Sequence, residues 1–221
     1  MKLGLITIGQ SPRVDITPDI RPLFGPDVEF IEMGALDGLT HEEIDTFTPE
    51  EGDYVLISRL RDGTSAVFAE RYILPRLQNC IDTLEDQGAQ VIMFLCTGTF
   101  PDFKTRVPVF FPCNILNGSV PALAPRGKIA VITPKAEQIE QCYGKWKELV
   151  KEVTVFDASP YGDPAELDAA ADKVKPLDVD CVLLDCMGYT KEMKDRFRAR
   201  AGKLTILSRT LAARNVSELL D

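Results

Sequence analysis

Several features that would point to a common class of protein are missing from this chain. It has one histidine, His41, and no CxxC pair among its cysteines, so the sequence favours neither a zinc centre nor a Cys-His catalytic pair. No stretch approaches the ~20 consecutive apolar residues that span a bilayer, and no signal-peptide pattern follows the N-terminus. Neither a GxGxxG nor a P-loop pattern occurs. We therefore expect a cytoplasmic protein without a metal or cofactor.

Positive charge is also scarce. Lys and Arg number 25 against 34 Asp and Glu, which gives a net charge of −9, and the basic residues form no cluster. Nucleic acids and anionic membranes are bound through a local excess of positive charge. We therefore expect neither a nucleic acid nor a membrane as partner.

The cysteines occur singly, and without a secretion signal we expect them to be reduced thiols. They stand at positions 80, 96, 113, 142, 181 and 186.

Apolar periodicity in the first half of the chain predicts an α/β arrangement. The continuous apolar run 3–8 is typical of a central parallel strand covered on both faces. A long amphipathic helix is predicted over 70–87, with Cys80 on its buried face. Further strands are predicted over 28–33, 53–58 and 91–95, with a hairpin turn at Asp62-Gly63.

The second half repeats a simple strand–helix alternation. Strands are predicted at 128–132, 153–156, 181–184 and 204–207, each followed by a helix, which indicates a parallel sheet with helices on both faces. The Pro-rich stretch 100–127 is the expected crossover. We therefore divide the chain into an N-terminal α/β lobe, 1–120, and a C-terminal α/β lobe, 121–221. The C-terminal helix could pack back onto the first lobe.

Two cysteines follow predicted strands in the same local pattern. Cys96 lies in Leu95-Cys96-Thr97-Gly98-Thr99, and Cys186 lies in Asp185-Cys186-Met187-Gly188-Tyr189-Thr190. In open α/β sheets, ligands bind beyond the carboxyl ends of the strands. A single cysteine is more often a small core residue. The repeated context favours a functional interpretation of both.

Other polar residues are predicted at the ends of neighbouring strands. The first strand leads into Gly9-Gln10-Ser11-Pro12-Arg13, and the Arg13 guanidinium could hold a carboxylate by paired hydrogen bonds, although a surface arginine is an equal alternative. Thr133 ends the first strand of the second half and could bind an anion through its hydroxyl and nearby N–H groups. Asp185 could act on a proton, but we favour a turn cap.

Two thiols that face one carbon acid are sufficient for racemisation. One thiolate removes a proton and the other thiol delivers one to the opposite face, while hydroxyl and N–H donors hold the substrate carboxylate. Gly98 and Gly188 permit the close backbone approach that an anion-binding nest needs. The alternative from another functional class is a carboxylate-binding or regulatory protein that does not turn over its ligand.

These motifs resemble known families. Cys-x-Gly-Thr at Cys96 and Asp-Cys-x-Gly at Cys186 are similar to the two active-site loops of the aspartate/glutamate racemase superfamily, in which a carboxylate-binding Thr falls at the position of Thr133. Over nearly its full length the chain more closely resembles the AroM family, through Leu5-Ile6-Thr7-Ile8-Gly9, the Asp62 hairpin, the helix ending at Gly88, Leu184-Asp185-Cys186-Met187-Gly188 and the closing helix.

The resemblance implies a racemase-like fold of two related α/β lobes with a ligand cleft between them, and it leaves a homodimer open. We accordingly expect a cofactor-independent racemase or isomerase, or a related thiolate-dependent lyase, acting on a small carboxylic or amino acid. Cys96 and Cys186 are the expected catalytic residues. The expected substrate-binding residues are Gln10, Ser11, Arg13, Thr97, Gly98, Thr99, Thr133, Gly188, Tyr189 and Thr190.

Overall fold

The computed structural model describes residues 1–220 and forms two compact units. The N-terminal unit comprises Met1–Cys113 together with the C-terminal segment from Ala213, and the C-terminal unit comprises Asn114–Ala212. Each unit contains a four-stranded parallel sheet with helices packed on it. The predicted α/β class with parallel sheets flanked by helices is confirmed.

The sheet of the N-terminal unit contains the strands β1 (Lys2–Thr7), β2 (Glu29–Gly34), β5 (Val91–Phe94) and β6 (Val109–Phe110). Their order in the sheet is β2-β1-β5-β6. An antiparallel hairpin of β3 (Val55–Arg59) and β4 (Ser65–Ala69) confirms the predicted turn. The helices are α1 (Thr17–Ile20), α2 (His41–Asp45) and α3 (Glu70–Asp86).

The core of this unit follows from the apolar pattern of the sequence. The side chains of β1 are buried from Leu3 onward, as expected for a strand with neighbours on both sides. The apolar stripe of α3, which includes Leu77 and Cys80, packs in the same core. Gly88 follows α3 with φ +88°, a left-handed conformation that favours glycine, so the helix ends here as predicted.

The sheet of the C-terminal unit contains the strands β7 (Lys128–Thr133), β8 (Glu152–Asp157), β9 (Cys181–Leu184) and β10 (Thr205–Leu207). Their order in the sheet is β10-β9-β7-β8. The strands alternate with α5 (Ile139–Trp146), α6 (Pro164–Val174), α7 (Lys191–Ala201) and α8 (Ser208–Ser217). This confirms the predicted strand–helix alternation.

The sequence predicted neither the short helix α1 nor the helix in the Pro-rich stretch. The Pro-rich stretch contains α4 (Pro112–Leu123), which begins at the boundary between the units. A proline in the first turn of a helix costs little because its missing N–H would have no intrahelical partner. The proline content therefore concealed the helix.

The two sheets share one topology. When the first sheet is counted from its edge strand β2 and the second from its edge strand β8, β2-β1-β5-β6 corresponds to β8-β7-β9-β10. The central pairs match in register as well, because Ile6 lies opposite Phe94 and Ile132 lies opposite Leu184. Strands β5 and β9 are thus equivalent, and each leads directly into one of the two cysteine loops.

Membrane insertion through a helix finds no support in the described part of the chain. Of the helices within residues 1–220, none combines the length and apolar character that crossing a bilayer requires.

Candidate functional site

The Cys96 loop begins where β5 ends. The Leu95 N–H donates to the Ile6 carbonyl at 2.7 Å, so the loop leaves the sheet at a fixed point. Cys96 is half-buried, and its sulfur accepts the N–H of Gly98 with an N···Sγ distance of 3.3 Å. A side chain at position 98 would lie 3.1 Å from the end of Leu56. The loop therefore closes around the thiol with little spare room.

The two threonines after Cys96 differ in their exposure and contacts. The Thr99 N–H donates to the Tyr54 hydroxyl at 3.2 Å, and the Thr99 hydroxyl lies 3.4 Å from the sulfur of Cys113. Thr97 is half-buried and Thr99 is exposed. The hydroxyl of Thr99 thus contacts the buried thiol of Cys113.

The Cys186 loop repeats this arrangement at the end of β9. The Asp185 N–H donates to the Ile132 carbonyl at 2.9 Å, and the Gly188 N–H donates to the half-buried Cys186 sulfur at 3.3 Å. A Cβ atom at Gly188 would lie 2.4 Å from the hydroxyl oxygen of Tyr161 and 2.9 Å from Pro160. The Tyr161 phenol therefore rests on the glycine whose N–H meets the thiol.

Residues of α8 brace the second loop from inside the unit. The Arg209 Nε donates to the Met187 carbonyl at 2.8 Å, and the Ser208 hydroxyl donates to the Leu184 carbonyl at 2.6 Å. Both side chains are fully buried. They hold the backbone on either side of Cys186.

Two predicted site residues have structural contacts in this loop. The Tyr189 side chain is fully buried and its hydroxyl donates to the Ala158 carbonyl at 2.6 Å. The Thr190 hydroxyl accepts the N–H of Met193 at 3.1 Å and caps α7. Tyr189 therefore contributes a core side chain, whereas half-buried Thr190 combines a helix cap with a position beside the loop.

Asp185 makes a long-range contact rather than only a local one. One oxygen of its carboxylate accepts the ammonium of Lys145 at 2.8 Å and the indole N–H of Trp146 at 2.9 Å. The Asp185 side chain is 4% exposed and that of Lys145 is 16% exposed. The sequence favours a turn cap at Asp185, and the structure joins the side chain of this residue to α5.

The end of β1 carries a buried network centred on Arg13. Its guanidinium binds both carboxylate oxygens of Asp15 at 2.8 Å and donates to the hydroxyls of Thr7 at 3.0 Å and Ser58 at 3.2 Å. Arg13 is 4% exposed. Asp15 thus binds the paired N–H donors of the Arg13 guanidinium that the sequence assigns to a substrate carboxylate.

Gln10 and Ser11 are also engaged within the N-terminal unit. Asp37 accepts the N–H of Ser11 at 2.8 Å and its hydroxyl at 2.6 Å. The Gln10 side-chain oxygen accepts the N–H of Arg61 at 2.8 Å. The loop after β1 is therefore tied to the loop after β2 and to the hairpin.

Thr133 has an equivalent in the first unit. The carbonyl of Thr7 accepts the N–H of Ala35, and the carbonyl of Thr133 accepts the N–H of Ala158, both at 2.9 Å. Both threonines are buried and end the central strand of their sheet. Thr7 was missed from the sequence, although both strands end in Ile-Thr.

The other four cysteines differ from Cys96 and Cys186. All six are free, but Cys80, Cys113, Cys142 and Cys181 are buried. Burial raises the pKa of Cys80 and of Cys181 to about 11, and it raises the pKa of Cys142 further. Cys96 and Cys186 are instead half-buried residues.

The side chains of residues 1–220 do not suggest a metal site. These residues contain no group of three His, Cys, Asp or Glu side chains that could hold an ion.

Two parallel sheets of the same topology, each flanked by helices and each leading into a cysteine loop, define an α/β protein. The chain belongs to the AroM family, because the family model described as AroM protein matches residues 3–220. The family resemblance found in the sequence is confirmed. No curated protein matches the sequence.

Solved structures with a similar fold come from enzymes. The maleate isomerase Iso from Pseudomonas putida S16 has a TM-score of 0.67 at 15% identity, covering 100% of this chain and 93% of that chain. Glutamate racemase from Aquifex pyrophilus has a TM-score of 0.62 at 15% identity, covering 100% and 84%. Unliganded arylmalonate decarboxylase has a TM-score of 0.60 at 16% identity, covering 100% and 92%. At these identities the likeness establishes the fold.

Proposed function

We propose that this AroM-family protein is a cofactor-independent racemase- or isomerase-type enzyme that acts on a small carboxylic or amino acid through the thiols of Cys96 and Cys186. One observation carries the proposal. At equivalent strand ends, a half-buried cysteine sulfur accepts the N–H of the glycine two residues later, at 3.3 Å in both cases.

This geometry favours the reactive form of a thiol. An unperturbed cysteine is only a few per cent thiolate at pH 7, and the thiolate is the form that accepts a proton. A hydrogen bond donated to the charged form stabilises it. The N–H groups of Gly98 and Gly188 are such donors, and both cysteines are half-buried residues that a ligand could approach.

The proposed reaction conserves protons. One thiolate takes the proton from the α-carbon, and the electron pair of the broken C–H bond moves into the carboxylate as an enolate. The second thiol then gives its proton to the opposite face of that carbon, so the two cysteines exchange protonation states. The developing negative charge requires nearby hydrogen-bond donors, for which Thr97, Thr99, Thr133 and Thr190 are the candidates.

One further consideration supports a carboxylate substrate, and another limits the part that Arg13 can take in binding it. Maleate, glutamate and arylmalonate, after which three of the similar enzymes are named, are carboxylates, whereas allantoin, after which a similar racemase is named, is not. Arg13 is already paired with Asp15, so a substrate carboxylate would have to displace that residue. We therefore assign carboxylate binding mainly to threonine hydroxyls and main-chain N–H groups, with Gln10, Ser11 and Arg13 shaping the first half of the site.

A solvent-exchange screen tests the proposal. Amino, hydroxy and malonic acids are incubated with the protein in D2O, and NMR detects deuterium entering the α-position or loss of a carboxylate. For an active acid, we expect Cys96→Ala and Cys186→Ala each to lower interconversion of the two isomers by at least about 100-fold, in line with acid–base catalysis. Cys80→Ala, which changes a buried cysteine on α3, is the matched control and should retain activity.

Two results would overturn the enzymatic assignment. If acids bind and protect both thiols from alkylation but none exchanges or reacts, the protein is a carboxylate-binding or regulatory protein. If both thiols prove inert to alkylation, the catalytic role of Cys96 and Cys186 fails.

A further inference from the structure

The buried ion pair beside Cys186 has no part in the proton transfer described above. The Asp185 carboxylate lies one residue before the reactive cysteine and accepts both Lys145 and the indole N–H of Trp146. The Lys145 ammonium also lies 4.8 Å from the centre of the Trp146 ring. Three side chains thus hold the end of β9 against α5.

The first thiol has no such charge before it. The residue at the equivalent position is Leu95, which is buried and apolar. A carboxylate next to a thiol opposes formation of the thiolate, because two negative charges repel each other. Asp185 would therefore work against Cys186 unless its charge were balanced.

The strand geometry allows Asp185 to act from the opposite side of the sheet. Side chains alternate between the two faces of a strand. Cys181 and Leu183 belong to the core that contains Trp146, whereas Val182 and Leu184 belong to the core against which Cys186 packs. Asp185 therefore lies on the same face of the strand as Cys181 and Leu183, the side of Trp146. Lys145 can bind it there without covering the Cys186 sulfur.

We propose that Lys145 is a positioning residue for Cys186: its ammonium neutralises Asp185, so that the carboxylate can anchor the strand end without opposing the neighbouring thiolate. The inference rests on the proposed function only in giving that thiolate a role. It assigns opposite effects to the two members of the pair, Asp185 disfavouring the thiolate and Lys145 restoring it.

A second thiol near the pair experiences the same two charges. Burial raises the pKa of Cys142 on α5, Asp185 adds to the increase, and Lys145 works against it. Tyr189 lies within electrostatic reach of Cys186, Asp185, Tyr161 and Cys142. These groups, together with Lys145, are the titratable neighbours that a pH profile of Cys186 must take into account.

The test is the pH dependence of Cys186 alkylation by iodoacetamide, followed by mass spectrometry in the full-length protein. Lys145→Met should slow the reaction at pH 7 by about tenfold, equivalent to about one unit in the pKa of the thiol. Asp185→Asn, which keeps an oxygen for the Trp146 N–H, should accelerate it. The double variant should return close to the wild-type rate, and Lys145→Arg should retain it.

Cys96 provides an internal reference, because its alkylation in the same samples should not change. If the ion pair had a purely structural role, Lys145→Met and Asp185→Asn would change the rate of Cys186 alkylation in the same direction, and the double variant would not return to the wild-type rate. That pattern would overturn the inference. Near-UV circular dichroism identifies any variant that loses its fold. In that case the alkylation rates of Cys186 are compared between Lys145→Arg and Lys145→Gln instead. Alkylation requires no substrate, so this result is separate from the fate of the proposed enzymatic activity.

Discussion

The two thiol loops agree in backbone geometry and differ in their supports. Both follow the third strand of the same sheet order, and both present a half-buried sulfur to a glycine N–H at 3.3 Å. The Cys96 loop is preceded by apolar Leu95 and leads into a non-helical segment. The Cys186 loop is preceded by an ion-paired aspartate and leads into α7. The repeated sheet thus sets the thiol position, and local elements set its chemical environment.

The largest expected contrast separates these two thiols from the buried ones. With a pKa of about 11, only about 0.1% of Cys80 and Cys181 is thiolate at pH 8, because a raised thiol pKa keeps the proton on sulfur. We expect Cys96 and Cys186 to react with iodoacetamide at least about 100-fold faster at that pH. Mass spectrometry of a time course measures all six sites, and comparable rates would remove the distinction between the two groups.

The glycines of the two loops should differ in their tolerance of a side chain. At Gly188 a Cβ would meet the Tyr161 ring and hydroxyl at 2.4–2.6 Å, so we expect Gly188→Ala to destabilise the fold by about 1–3 kcal/mol. At Gly98 the nearest atom is the flexible end of Leu56 at 3.1 Å, and Gly98→Ala should cost less than about 1 kcal/mol. Urea denaturation measures both, and equal costs would show that the loops are equally constrained.

The threonines that follow the glycines should differ by a smaller amount. Thr190→Ala removes the cap of α7 and should cost about 1 kcal/mol. Thr99→Ala removes an exposed side chain whose hydroxyl contacts Cys113, and its effect on stability should stay within about 0.5 kcal/mol. The same denaturation experiment checks both values. A larger loss at Thr99 would mean that its contact with Cys113 matters more than the helix cap.

The elements of the fold that the sequence predicted are those with local signals. The apolar run of β1 and the stripe of α3 each depend on residues close together in the chain, and both are present. The positions of Cys96 and Cys186 followed from the strands before them.

The supports of the site could not be predicted in this way. Lys145 and Asp185 are 40 residues apart, and Tyr161 reaches Gly188 from the loop after β8. Such contacts depend on how helices and strands pack, which no local pattern specifies. Arg13 is buried and not the surface arginine that the sequence left open, and the pattern gave no sign of its partner Asp15. Only Thr7 had a usable signal, in the Ile-Thr shared by β1 and β7.

The most direct test of the account follows the two enantiomers separately. With an acid that the wild-type protein racemises, α-proton exchange in D2O is measured for each enantiomer in Cys96→Ala and in Cys186→Ala. If each thiol serves one face of the carbon, each variant should exchange one enantiomer only, the two variants should prefer opposite enantiomers, and neither should racemise. Racemisation by either variant, or exchange of the same enantiomer by both, would contradict a reaction that uses both cysteines.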